Sequence, residues 1–97
     1  MRYALSQDAQ NDIRNIYRFG IARFGHAAAD LFIDALFDVF DDIANRPLSF
    51  PRIETSDNAY RRAVHRVNSI YYRVDDERDE VLVIRILGRQ DPASLLG

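Results

Sequence analysis

The stretch "RRAVHRVNSIYYRV", Arg61 to Val74, decides how the chain is read. Residues 60–66 alternate with a period of two, and Ser69 to Val74 is rich in β-branched and aromatic side chains, so the segment predicts strands and not a helix. Alternation sends Arg62, Val64 and Arg66 to one face and Arg61, Ala63 and His65 to the other. Arginine on both faces leaves two arrangements open. Either the strand lies at the edge of its sheet, or the second face is a shallow surface lined with guanidinium groups. The arginines then serve either to cover apolar sheet and pair with nearby acids, or to dock phosphates or an acidic protein.

Upstream of this stretch the period is helical. Ser6 stands where an N-cap belongs, and Asp8 sits in the first turn, favoured by the helix dipole. Ala9, Ile13, Ile16, Tyr17, Gly20 and Phe24 then form one apolar stripe, which ends around Phe24-Gly25. A second helix is expected from about Ala27 to Asn45, stopped by Pro47. Its apolar arc is broad. Ala28, Phe32, Ala35, Leu36, Val39, Phe40 and Ile43 cover one side, and Ile33, Phe37 and Ala44 widen the arc to about 200°. Such a helix touches both a hairpin mate and a sheet, or leaves an apolar flank for another protein.

The remaining segments complete the order. "RYAL" is a short strand at the start, residues 47–58 read as a loop, and "VLVIRIL" (Val81 to Leu87) is the most strand-like run. "DDERDE" is the charged connection before it, and "GRQDPASLLG" closes the chain with a turn. The expected fold is α+β in the order β-α-α-β-β-β, with a helical hairpin packed on a small, mainly antiparallel sheet. Residues 1–97 read as one domain, without repeats or linkers.

Composition narrows the function. The chain has 97 residues, 47% of them hydrophobic and 29% charged, with a formal net charge of -2. An acidic balance argues against general polyanion binding, which depends on excess cationic charge. The charge is nevertheless segregated: Arg46, Arg52, Arg61, Arg62, Arg66 and Arg73 face only Glu54 and Asp57 in their part of the sequence, whereas Asp30, Asp34, Asp38, Asp41 and Asp42 stand together. All 13 basic residues are arginine, whose planar fork makes bidentate contacts that lysine cannot. There is no cysteine, so no disulfide or thiol chemistry arises. No apolar run reaches the roughly 20 residues of a membrane span, the start lacks the apolar stretch of a signal peptide, and a cytoplasmic protein is expected.

Enzyme motifs are missing. His26 and His65 lie in no HExxH frame, no GxSxG occurs, and the glycines form no phosphate-cradling loop. Asp30, Asp34 and Asp38 share a helix face but read as a solvated or partner-facing surface, and no metal or cofactor is expected.

Four pieces in order, "YALSQDAQNDIRNIYRF", "FDDIANRP", "YRRAVHRVNSIYYRV" and "VLVIRILGRQDP", resemble the ParE branch of the RelE/ParE toxin superfamily over almost the whole chain. The resemblance implies the toxin of a type II toxin–antitoxin pair, neutralised by a ParD-like antitoxin in a hetero-oligomer, with DNA gyrase as target and DNA touched only through the antitoxin. Alternatives are a RelE-like ribosome-dependent mRNA endoribonuclease and a non-toxic, antitoxin-binding co-repressor. The nuclease branch uses a basic residue on the second strand, an arginine opening the third, an arginine after the fourth and a C-terminal tyrosine. The matching places are Arg61 or Arg62, Ser69, Arg89 and Leu95, so two of the four roles are missing. Many ParE members carry a histidine where this chain has Gly88. The expected target-binding residues are Arg61, Arg62, His65, Arg66, Arg73 and Arg89. The expected antitoxin-binding residues are Tyr17, Asp30, Ile33, Asp34, Phe37 and Phe40, and no catalytic residue is assigned.

Overall fold

The chain runs β1 (Arg2–Leu5), α1 (Gln7–Phe24), α2 (His26–Asn45), β2 (Arg61–His65), β3 (Asn68–Asp75) and β4 (Glu80–Gly88). The computed structural model describes residues 1–53 and 59–88. Its sheet has the spatial order β1-β4-β3-β2. β2 pairs antiparallel with β3 and β3 with β4, while β1 lies parallel to β4. The expected element order and mainly antiparallel sheet are therefore present, with one parallel pair making the sheet mixed. β2 takes the outer position in that order, as the edge-strand arrangement requires.

Local chemistry explains the junctions. The Ala9 amide donates to Ser6 Oγ at 3.0 Å, capping α1, and the same hydroxyl donates to the Ile84 carbonyl at 2.7 Å. One side chain thus starts the helix and fixes it over β4. The helices turn at Gly25, whose φ of +89° suits a residue without Cβ. They then meet closely, because a Cβ at Gly20 would stand 3.3 Å from Ala29 Cβ.

β1 ends at Leu5, opposite Val83, and among the described residues no strand continues along that edge of β4. Asp12 of α1 closes it. Its carboxylate accepts the Ile86 amide at 2.9 Å and the Arg85 guanidinium at 2.8 and 3.0 Å. A helix side chain thus supplies the acceptor a neighbouring strand would have given. Ile84 is the extra residue of a bulge here, since Tyr71 faces Arg85 while Tyr72 faces Val83.

The core lies between α2 and the inner sheet face. Leu36, Phe40 and Ile43 of α2 and Ala9 of α1 meet Ala63, Ile70, Tyr72, Val81, Val83 and Ile86. Each large side chain so buried contributes about 1.5–3 kcal/mol. The broad arc of α2 is mostly explained by this packing. Ala44, expected at its margin, is buried, whereas Ala28, expected in the core, is exposed. Phe24 is also exposed, because the last turn of α1 overhangs a groove and not the sheet.

Candidate functional site

Two surfaces stand out among the described residues. The first is the outer face of the sheet. Ala63, Ile70, Tyr72, Val81 and Val83 are buried toward the helices, so alternation turns their neighbours outward. The outward rows are Arg62 opposite Tyr71, Val64 opposite Ser69, and Arg73 opposite Leu82. Arg62 and Arg73 are exposed and have no acidic partner among the described residues. Arg62 stands directly across from Tyr71 and Arg73 two residues along β3 on the same face, an arrangement of two cations beside an aromatic ring.

Of the other expected target-binding residues, Arg66 lies in the two-residue turn to β3 at φ +55°, a left-handed conformation uncommon for arginine. It is exposed at the hairpin tip and outside the row of Arg62 and Val64. Arg89 lies outside the described residues, as does Leu95. Arg61 and His65 turn toward the helical side, away from the face of Arg62. The Arg61 guanidinium donates to the Phe50 carbonyl at 2.7 Å and to the Leu48 carbonyl at 3.5 Å, holding the α2–β2 loop. The His65 ring packs 6.0 Å from that of Phe32, and its Nε2 is buried without a hydrogen-bond partner among the described residues.

His65 consequently makes stability depend on pH. Burial and then the nearby Arg66 charge hold the folded imidazole below its ordinary value of 6.5. The unfolded chain therefore binds the proton more readily, and its stabilising effect is present above about 6.5 and lost as pH falls through the lower folded value. The wild-type melting temperature should drop between about pH 7 and 5, and His65→Leu should flatten that drop in a thermal-unfolding series. An equal drop in both proteins removes His65 as the cause.

The second surface is on the helical hairpin. A groove of about 710 Å³ opens between α1, α2 and the sheet end, lined by Ile16, Phe19, Phe24, Phe32, Val67 and Leu87 among others. Phe19 is 60% exposed, Phe24 69% and Val67 57%. Arg23 lies over the Phe19 ring, 5.6 Å from its centroid. On the other side of the hairpin is a shallower, polar depression of about 430 Å³ formed by Ile13, Arg14, Tyr17, Asp30, Ile33 and Asp34. There the Tyr17 hydroxyl donates to Asp30 at 2.6 Å, and this hydrogen bond raises the phenol above its ordinary value.

The structure thus brings together Tyr17, Asp30, Ile33 and Asp34 of the expected antitoxin surface. It does not bring Phe40 there. Phe40 is fully buried, 5.5 Å from the Tyr3 ring and 5.4 Å from the Phe37 ring, and presents no surface. Phe37 is half-buried against the same cluster. Sequence reasoning missed Phe19, Val67 and Leu87 as groove residues. Phe19 carried a signal, being a large apolar residue off the stripe of α1. Among the described residues no three His, Asp or Glu side chains gather as metal ligands, and no helix is long and apolar enough to cross a membrane.

The described residues thus form a small mixed sheet under a helical hairpin, with an exposed outer sheet face and an apolar groove at the hairpin. The sequence matches the ParE toxin of type II toxin–antitoxin system, parDE, over residues 3–92, and the chain belongs to that family. No curated protein matches it significantly. Among solved structures, a chain of the chromosomal ParDE system from P. aeruginosa superposes with a TM-score of 0.78 at 16% identity, covering 93% of this chain and 97% of the other. A chain of the RelBE2 toxin–antitoxin complex from Mycobacterium tuberculosis gives 0.69 at 17% identity, covering 91% and 96%. At these identities the likeness is one of fold.

Proposed function

We propose that this ParE-type toxin acts in the cytoplasm by inhibiting DNA gyrase through its outer sheet face, and that a ParD-like antitoxin neutralises it by wrapping the helical hairpin. The observation that carries the target reading is the pair Arg62 and Arg73 beside Tyr71, open and without acidic partners among the described residues. The nuclease reading is disfavoured by Ser69 in place of a third-strand cation and by the engagement of Arg61 with loop carbonyls. With the third-strand cation replaced by Ser69 and the C-terminal aromatic by Leu95, neither charge stabilisation nor proton transfer is complete for RNA cleavage.

For the antitoxin, the apolar groove and the Asp30–Asp34 depression lie on two sides of one hairpin. A chain folded round the hairpin would seat apolar residues in the first and basic ones at the second.

Induction of the toxin alone should trigger a DNA-damage response and filamentation with mRNA intact in the first minutes. Arg62→Glu/Arg73→Glu should remove growth arrest while changing stability by no more than about 0.5 kcal/mol, as exposed substitutions usually do. Early cleavage at ribosomal A sites, mapped by primer extension, would instead establish the endoribonuclease. Full toxicity of the folded double variant would show that this face is ordinary surface. Absence of arrest by the wild type would leave the co-repressor.

A further inference from the structure

The apolar groove has one polar spot in its wall. Asn68, which opens β3, is only 3% exposed, and it lines the groove with Val67, Ile86 and Gly88. Its carboxamide has no hydrogen-bond partner among the described residues. Unlike His65 Nε2, it is not sealed off, so what little of it is exposed looks into the groove. His65 stands directly across from Asn68 in the β2–β3 hairpin, yet its own Nε2 is unpartnered among the described residues, so the two do not satisfy each other. On β4 the residue across from Asn68 is Gly88, and a Cβ there would come 3.7 Å from the Asn68 Oδ1. A side chain at that position would begin in contact with the carboxamide. Glycine leaves the space open.

A carboxamide without a partner in apolar surroundings costs the free fold stability. An occupant covering it with hydrocarbon would keep that cost and also strip away the hydrogen bonds the group makes to water. What fits at Asn68 is therefore a group that accepts from its NH2 and donates to its Oδ1. An amide does both without carrying charge. A carboxylate has no donor and an ammonium no acceptor, and either would be desolvated among Phe19, Phe24, Phe32 and Val67.

We propose that Asn68 is the specificity-determining contact of the groove. The antitoxin segment seated there presents one uncharged amide, which pairs with the Asn68 carboxamide through two hydrogen bonds, while its apolar side chains cover Phe19 and Phe24. The inference rests on the reading of the groove as the antitoxin's seat and adds the chemistry that the groove selects.

The test uses the full-length toxin and its antitoxin. Asn68→Leu is close in size and makes no side-chain hydrogen bond. It should weaken antitoxin binding by about 10- to 100-fold in calorimetric titration, the loss usual when a buried partner is left unpaired. Its melting temperature should hold or rise, because an unpaired polar group has gone from the free fold. Gly88→Val, which covers the carboxamide and leaves it in place, should weaken binding as well. In isotopically labelled wild-type toxin, NMR should show the Asn68 side-chain NH2 exchanging with solvent in the free protein and protected in the complex, which a purely structural role would not produce. Protection already complete in the free toxin overturns the proposal, and this readout decides even where Asn68→Leu does not fold. Wild-type affinity of folded Asn68→Leu overturns it too. If affinity then falls in a Phe19→Asp/Val67→Asp toxin, the groove reading stands without the Asn68 contact; if it survives there also, the groove reading falls with it.

Discussion

A toxin carrying both Phe19→Asp and Val67→Asp is expected to fold and yet to escape its antitoxin. Both side chains line the apolar groove under the hairpin corner, and more than half of each is exposed. Their share in the toxin's own core is small. In a complex they would become the floor of an interface, each contributing about 1.5–3 kcal/mol when fully covered. At about 1.4 kcal/mol per decade, the pair should cost two to four decades in affinity, before counting the carboxylates placed in an apolar cleft. Calorimetric titration of the folded variant with the antitoxin reads this directly, and growth arrest that the antitoxin no longer relieves is its cellular form. Wild-type affinity would assign the groove to another occupant. A variant that does not fold would show that these residues support the core after all.

That groove was only partly visible in the sequence, for a physical reason. Period alone places residues on a face, and it identified the stripe of α1, the Ser6 cap, the hairpin turn at Gly25 and the period-two strands. It cannot say where a partner element stops. Phe24 continues the stripe but lines the open groove at the sheet end and is exposed. Ala44 shows the converse, lying at the margin of the arc and still buried.

The candidate target face shows a second limit. Alternation correctly separated Arg62 from Arg61, but which set faced outward depended on the position of the helices. Arg61 proved to be spent on the carbonyl of Phe50, a contact with a loop whose irregular conformation leaves no periodic trace. His65 went the same way, and its ring contact with Phe32 joins residues far apart in sequence. Arg66 was misplaced for a different reason, since the strand ends one residue earlier and gives way to a turn.

Phe40 gives the sharpest separation between an interface residue and a core residue. On the sequence it belonged to the face offered to the antitoxin. In the structure it is fully buried, in ring contact with Tyr3 of β1 and Phe37 of α2, and it joins α2 to the strand that enters the sheet in parallel. Phe40→Ala removes the ring contacts and leaves a cavity that neighbours on three elements cannot fill together, at a cost of about 3–5 kcal/mol. A domain of this size has a total stability on the order of 5–15 kcal/mol, so the loss is a large share of the whole. At 4–8 °C per kcal/mol for a domain of 60–100 residues, the melting temperature should fall by at least about 12 °C, with the urea midpoint falling alongside. Antitoxin affinity, measured below the new melting point, should change far less than in the groove variant. The opposite pattern, an unchanged melting curve with lost antitoxin binding, would return Phe40 to the interface and require α2 to present a different face.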